Sequence, residues 1–206
     1  RSRDVAAGGQ GAPLVPAFHH AVFGSLTQTR VILNIGGIAN ITLLPSEGPV
    51  SGFDTGPGNC LMDAWMQRNL GQTYDQDGTL AASGRVEETL LNKLLGDDYF
   101  SLPAPKSTGT DYFNLKWLDA HLEQKQWTNE DVLATLLQLT VNSIVMSIQN
   151  QPVDIDEVLV CGGGAHNRTL MTALASALPV SLKTTTEIGF DGGWVEGAAF
   201  PWLAKQ

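Results

Sequence analysis

Short apolar runs near the start of the chain predict a group of β-strands. VILNI at residues 31–35, IANITLL at 38–44 and VSGFD at 50–54 are rich in β-branched residues and are separated by short polar or glycine-rich links. Short links favour antiparallel pairing of consecutive strands, so the three are expected to form a meander. Further along, the apolar run at residues 158–161 is typical of a strand buried on both faces, and VSLKTTT at 180–186 predicts a last strand.

Between and after these strands, apolar residues recur at helical spacing. They predict helices over residues 61–70, 86–95, 115–122, 128–148, 167–178 and 195–205. The helix at 128–148 has the longest apolar stripe and begins at Thr128 with a pattern that resembles a capping box. Residues 72–130 are less regular and are expected to be an insertion outside the core. The order β-β-β-α, insertion, α-β-α-β-α predicts an α/β fold: a mixed sheet with helices on both faces.

Composition narrows the classes of partner. The net charge of −9 argues against non-specific binding to nucleic acids or anionic membranes, which requires basic patches. The two cysteines, Cys60 and Cys161, are far apart, which favours free thiols in a reducing compartment. The sequence shows no signal peptide, and no apolar run is expected to span a bilayer. With 206 residues, the chain has room for one good-sized domain or two small ones.

Three glycine-rich turns follow predicted strands: NIGGIAN, FDTGPGN and CGGGAHN. Glycine turns allow the backbone to approach a ligand closely, and a turn that opens a helix presents N–H groups that attract anions. Ligands of open α/β sheets bind at the carboxyl ends of the strands. The three turns therefore indicate a phosphate or nucleotide site, with purely structural turns as an equally weighted alternative.

Asp54 ends the third apolar run and precedes Gly-Pro-Gly. The carboxylate could cap the following helix through its N–H groups, which is a common role. Alternatively, it could stand at the mouth of a phosphate site, where it would take a proton from a hydroxyl group or a water, or hold Mg²⁺ through water. The residues alone leave these roles open.

The motifs together resemble a known family. RDVAAGGQGAPLVPAFH, NIGGIANIT, GFDTGPGNCLMDAW, PAPKSTGTDYFN and VCGGGAHN are similar to motifs of the anhydro-N-acetylmuramic acid kinases of bacterial cell-wall recycling, and they extend over nearly the whole chain. The resemblance implies a ribonuclease-H-like lobe of the actin, Hsp70 and sugar-kinase superfamily. It also implies a cytoplasmic enzyme that hydrolyses the 1,6-anhydro bridge of 1,6-anhydro-N-acetylmuramic acid and transfers the ATP γ-phosphoryl group to O6. The products would be N-acetylmuramic acid 6-phosphate and ADP.

Motif by motif, the resemblance also implies site residues. Asp54 matches the catalytic base, which would activate the water that attacks C1. The nucleotide-binding matches are Asn34, Gly36, Gly37, Gly162, Gly163, Gly164 and Asn167. The matches on the sugar side are Arg3, Gln10, Gly11, Thr55, Gly56 and Glu196. Mg²⁺ is expected only as a companion of ATP, with no certain protein ligand. PAPKSTGTDYF matches a family loop for which the sequence gives no role.

The resemblance covers only one lobe of a two-lobe kinase. Residues 1–206 are expected to be one domain, the second lobe, with the first lobe and its phosphate loop missing, so that activity would require that lobe. The family suggests a homodimer, with ATP and an amino sugar as ligands and no nucleic acid or membrane partner. An actin-like nucleotide-binding module without chemistry is the alternative, although it would have no use for Asp54 or the GGQGAPL loop. A hydrolase using Asp54 and Glu196 would leave the glycine turns unexplained.

Overall fold

Five strands build the sheet at the centre of the protein. In the computed structural model, which describes residues 16–122 and 127–190, they are β1 (Arg30–Ile35), β2 (Ile38–Leu44), β3 (Ser51–Pro57), β4 (Glu157–Cys161) and β5 (Ser181–Thr184). Their order in the sheet is β3-β2-β1-β4-β5. β2 is antiparallel to both β1 and β3, whereas β4 is parallel to β1 and to β5. The predicted meander is therefore confirmed, and the carboxyl ends of β1, β3 and β4 meet at one edge.

Helices cover both faces of this sheet, as predicted. Those described are α1 (Pro16–Phe23), α2 (Cys60–Leu70), α3 (Thr79–Ser83), α4 (Glu88–Leu95), α5 (Asp98–Ser101), α6 (Leu115–Leu122), α7 (Asn129–Gln149) and α8 (Arg168–Ala177). Alternation along β1 separates the faces: Leu33 joins the large core under α7, whereas Ile32 packs with Phe23 of α1. The mixed sheet with this strand order and two helical layers is the predicted ribonuclease-H-like arrangement. The last predicted helix, 195–205, lies outside the described residues.

The long helix α7 is the centre of the larger core. The Thr128 hydroxyl oxygen accepts a hydrogen bond from the Asp131 N–H at 3.1 Å, so the predicted start of this helix is confirmed. Contrary to the expectation from sequence, α7 is long and apolar enough to cross a membrane by length and composition, and it is the one such helix in the described ranges. Within the structure, 72% of its most apolar window is buried, as in the core helix of a soluble protein.

The segment between α2 and α7 corrects the prediction that residues 72–130 lie outside the core. Leu94, Tyr99, Phe113 and Leu118 are each 5% exposed or less and belong to the same apolar cluster as Leu33. The irregular sequence of this segment reflects short helices joined by turns, and each helix contributes only a few apolar residues to the core. Burial of these side chains fixes the segment against the sheet, which becomes important for Asp54.

Candidate active site

The three glycine turns meet at the edge where β1, β3 and β4 end. The N–H of Gly58 donates to the Gly37 carbonyl oxygen at 2.9 Å, and the N–H of Asn59 donates to the Gly36 carbonyl oxygen at 2.9 Å. A Cβ atom on Gly58 would overlap the Gly36 carbonyl oxygen. The turn after β3 therefore fits directly on the turn after β1, and only glycine allows this contact.

The turn after β4 lies beside the end of β1. Gly162 has a φ of +82°, and a Cβ atom there would lie 2.8 Å from the Ile35 carbonyl oxygen. Gly164 packs equally closely on the Ile35 side chain. In contrast, a Cβ atom on Gly163 would meet no atom within 4 Å. Packing thus explains two of these glycines, whereas Gly163 borders open space.

That open space is a cleft of about 830 Å³. One wall of the cleft consists of residues from the start of α2, namely Asn59, Met62 and Asp63. Residues 74–77 form a second wall, and the lining is completed by Gly163 and residues 165–168. Its volume lies in the range of small-molecule sites. Burial raises the pKa of Asp63 to about 6, so this carboxylate takes up a proton in mildly acidic solution.

Asn167, a predicted nucleotide ligand, has a structural role beside this cleft. Its side-chain oxygen accepts a hydrogen bond from the Leu170 N–H at 3.0 Å and caps α8. Asn34 lies in register between Asn40 and Cys161, one strand away from each. The described nucleotide-binding candidates therefore gather at one edge of the sheet, although the cap gives Asn167 a sufficient reason of its own.

Asp54 lies within β3 and not at the end of it, because the strand continues to Pro57. Asn40 pairs with Asp54 and Ala39 pairs with Gly56, so Thr55 is the extra residue of a β-bulge. Bulges change the direction of neighbouring side chains and are frequent next to active sites. The structure thus places a bulge beside the residue that the sequence singled out.

The Asp54 carboxylate does not cap the following helix. That helix, α2, begins at Cys60 with Asn59 at its N-cap, so the capping alternative is wrong. Instead, Asp54 Oδ2 accepts hydrogen bonds from Ser107 Oγ and from the Thr108 N–H, each at 3.0 Å. The side chain is 7% exposed and lies at the boundary between core and solvent, since Ser107 is exposed.

The loop at residues 106–110 is the part of the site that sequence reasoning missed. Besides its bonds to Asp54, this loop approaches the first glycine turn: a Cβ atom on Gly37 would lie 3.7 Å from Thr110 Cγ2. Asp54, the loop and the Gly36–Gly37 turn therefore form one site. The available signal was the motif PKSTG itself, whose polar residues serve no purpose in an irregular insertion.

Two predicted substrate contacts next to Asp54 have structural explanations. Thr55 is 1% exposed, and its hydroxyl group donates to the Ala39 carbonyl oxygen at 3.2 Å. At Gly56, a Cβ atom would lie 2.8 Å from Phe100 Cε1. Thr55 and Gly56 therefore shape the bulge, and their contacts with the sugar stay predictions.

The remaining sugar-side predictions are not tested by the structure. These residues, Arg3, Gln10, Gly11 and Glu196, lie outside the described residues. Among residues 16–122 and 127–190, no group of three or more His, Cys, Asp or Glu side chains is arranged to hold a metal ion.

Comparison with known proteins decides the family. The sequence matches the family model described as "Anhydro-N-acetylmuramic acid kinase" over residues 1–206. The chain belongs to this family. Curated anhydro-N-acetylmuramic acid kinases of Pseudomonas savastanoi pv. phaseolicola and Nitrosomonas europaea are 53% and 54% identical to it, over 99% and 100% of the chain. The chain spans 57% of the length of each of these two anhydro-N-acetylmuramic acid kinases.

Likeness to solved structures is weaker. An activator of the 2-hydroxyisocaproyl-CoA dehydratase from Clostridium difficile with bound ADPNP superposes with a TM-score of 0.49 at 17% identity, covering 77% of this kinase-family chain and 54% of its own. A putative 2-dehydro-3-deoxygalactonokinase from Sinorhizobium meliloti gives 0.42 at 15% identity, covering 93% and 57%. At these scores, the likeness carries no argument about function.

Proposed function

We propose that this chain is the second lobe of an ATP-dependent kinase that opens the 1,6-anhydro bridge of 1,6-anhydro-N-acetylmuramic acid and phosphorylates O6. The observation that carries the proposal is the position of Asp54, a carboxylate held beside glycine turns at the ligand-binding edge of the sheet. Family membership supplies the substrate class, since the relatives carry the name anhydro-N-acetylmuramic acid kinase.

In the proposed reaction, Asp54 acts as a general base. It takes a proton from a water molecule while the water oxygen forms a bond to C1 of the sugar. The C1–O6 bond breaks, and O6 receives the γ-phosphoryl group as the bond between that group and ADP breaks. The products are N-acetylmuramic acid 6-phosphate and ADP. Positioning of water, sugar and phosphate supplies the rest of the rate acceleration.

The nucleotide has a natural place in the cleft bordered by Gly163 and the start of α2. Its 830 Å³ would accommodate a nucleoside, and the Gly36–Gly37 turn lies between it and Asp54 along the same edge. Asp63 offers an acceptor for ribose hydroxyl groups from the wall of this cleft. In the proposed complex, the phosphates extend from the cleft towards Asp54.

Mg²⁺ fits this site as a companion of ATP. Mg²⁺ usually retains several waters and binds through substrate phosphates with one or two carboxylates, and the described residues hold no larger ligand cluster. Since Asp54 serves as the general base in the proposed reaction, the ion would be held mainly by the phosphates and water. When bound, the ion would neutralise charge on the transferred phosphoryl group.

The proposal assigns activity to a two-lobe protein. The relatives are longer than this chain, and a kinase of this type would bind ATP and sugar between two lobes. Cys60 and Cys161 form no disulfide bond within the described residues, which supports a reducing cytoplasmic location, where ATP is available. Amino-sugar phosphorylation there would serve peptidoglycan recycling, and two copies of the two-lobe protein would form the proposed homodimer.

The test is isotopic. The two-lobe protein is incubated with ATP, Mg²⁺ and 1,6-anhydro-N-acetylmuramic acid in ¹⁸O-labelled water, and the sugar product is analysed by mass spectrometry. The expected product is a sugar phosphate with one labelled oxygen at C1 and none in the transferred phosphate. If ATP binds but no sugar phosphate forms, the proposal fails and the protein is an actin-like nucleotide-binding module.

A further inference from the structure

We infer that Ser107 is a positioning residue for Asp54, and that Tyr99 and residues 106–108 hold this carboxylate in place for proton transfer. The inference rests on the proposed function, in which Asp54 is the general base. It assigns a role to the PKSTG stretch, which neither the family match nor the sequence pattern explains.

The first support is direct contact with the carboxylate. Ser107 Oγ and the Thr108 N–H both donate to Asp54 Oδ2 at 3.0 Å. Two donors from consecutive residues fix both the rotation and the tilt of a carboxylate group. Donors of this kind stabilise the charged form, which is the form that accepts a proton.

The second support is that the same segment also binds the main chain of Asp54. The Asp54 N–H donates to the Lys106 carbonyl oxygen at 3.0 Å, and the Tyr99 hydroxyl group donates to the Asp54 carbonyl oxygen at 2.7 Å. Backbone and carboxylate are therefore held by one short stretch of chain. A base held at both points retains its geometry when substrate binds.

The third support is the way in which the segment is fixed. Lys106 is 8% exposed, its ammonium group donates to the Tyr99 carbonyl oxygen at 2.9 Å, and it lies 4.5 Å from the centre of the Tyr99 ring. Tyr99, Lys106 and Asp54 thus form a closed ring of contacts. Burial of a lysine is costly, as the lowered pKa of Lys106 shows, so its presence indicates a need for rigidity at this place.

A purely structural role would be to cover the edge strand. β3 is an outer strand of the sheet, and the hydrogen bonds of the Asp54 main chain with the Lys106 carbonyl oxygen and the Tyr99 hydroxyl group protect that edge. The bond from the Ser107 hydroxyl group is different, because it reaches the carboxylate and contributes nothing to the pairing of the strand. Substitution of Ser107 therefore separates positioning from edge protection.

The experiment compares three substitutions of Ser107 in the two-lobe protein. Ser107→Ala removes one donor, Ser107→Cys replaces it with a weak donor, and Ser107→Thr retains the hydroxyl group. Ser107→Ala is expected to lower kcat about tenfold, to leave the KM for ATP within about twofold, and to move the acid limb of the pH–rate profile to higher pH. Ser107→Thr should restore most of kcat, and Ser107→Cys should lie between.

Ser101→Ala is the matched control, since Ser101 is exposed on the same segment and its hydroxyl group is not among the described donors to the Asp54 carboxylate. It should behave as the wild type. Melting temperatures of all variants are measured alongside, so that kcat refers to folded protein. Wild-type kcat and an unchanged pH profile for Ser107→Ala would overturn the inference. If Asp54→Asn itself retains full turnover, the proposed function fails instead, and the two failures are thereby distinguished.

Discussion

A buried carboxylate lies near each end of the strands of the sheet, and the partners of the two groups differ. Where the parallel strands begin, Glu157 is 7% exposed and lies 3.1 Å from Arg30 Nε and 2.7 Å from Lys183 Nζ. Where they end, Asp54 is equally buried but accepts hydrogen bonds from a hydroxyl group and a backbone N–H. The same sheet therefore holds one carboxylate between two cations and another to which a hydroxyl group and a backbone N–H donate.

This difference has chemical consequences. A carboxylate between two cations suits a permanent ion pair that joins β1, β4 and β5. At Asp54, the donors from Ser107 and Thr108 orient the carboxylate. The first carboxylate joins three strands, whereas the second is the base of the proposed reaction.

Reciprocal substitutions give the largest expected effect. In the two-lobe protein, Asp54→Asn should lower turnover by ~10²-fold or more while the melting temperature stays close to the wild-type value, because a neutral amide retains the shape but not the base. Glu157→Gln should do the opposite: it leaves Arg30 and Lys183 without their anion and should lower the free energy of unfolding by about 1 to 3 kcal/mol. The lower part of this range allows for the exposure of Lys183, whose side chain is 46% exposed.

Steady-state kinetics and thermal unfolding of the two proteins provide the measurement, and each variant is the control for the other. If both variants lose turnover and stability in similar proportion, the separate roles assigned to Asp54 and Glu157 are wrong. Full turnover in Asp54→Asn would remove the general base from the proposed mechanism.

Glycine substitutions separate two roles among the turns at the carboxyl ends of the strands, packing and ligand binding. Gly58→Ala should lower the free energy of unfolding by about 2 kcal/mol, because the new methyl group overlaps the Gly36 carbonyl oxygen and the two turns must separate. Gly163→Ala should leave stability unchanged, since its methyl group meets no atom within 4 Å. It should instead weaken ADP binding about tenfold, or about 1.4 kcal/mol, by occupying space in the cleft.

Chemical denaturation and calorimetric titration with ADP distinguish these outcomes. A stable Gly163→Ala protein with wild-type affinity for ADP would place the nucleotide elsewhere. A stable Gly58→Ala protein would show that the two turns can separate without cost.

The sequence predicted the elements with local signals and missed those that depend on distant contacts. β2 and α6 have the predicted bounds, because alternation and helical periodicity are visible within a few residues. β3 was expected to end at Asp54, since Gly-Pro normally marks a turn. It continues to Pro57 because an outer strand tolerates proline on its unpaired side.

The candidate site shows the same contrast between features with local signals and features that depend on distant contacts. Glycine turns at strand ends were visible, and the structure brings them together. The partners of Asp54 were not visible, because Ser107 and Thr108 are 53 and 54 residues away along the chain. The irregularity of residues 72–130 suggested an insertion outside the core, although Tyr99 and Phe113 are buried there. Only the folded segment shows that this region supports the proposed base.

Substitution of Asp63 gives the smallest expected effect, and it should change stability and ADP affinity in opposite directions. Its pKa is raised by burial from 3.8 to about 6, so between these values the folded protein binds a proton that the unfolded chain does not. The stability contributed by this group is therefore greatest below about pH 4 and falls as the pH rises towards 6. Asp63→Asn should remove this fall and raise the free energy of unfolding at pH 7 by up to about 1 kcal/mol, with no gain at pH 4.

In the same variant, ADP affinity at pH 7 should decrease several-fold and lose its dependence on pH near 6, because the amide is a weaker acceptor for ribose hydroxyl groups. Denaturation and ADP titration at pH 4, 6 and 7 test both parts. An Asp63→Asn protein that is less stable at pH 7 would show that the carboxylate has a stabilising partner. Asp63 would then resemble Glu157 at the other end of the strands.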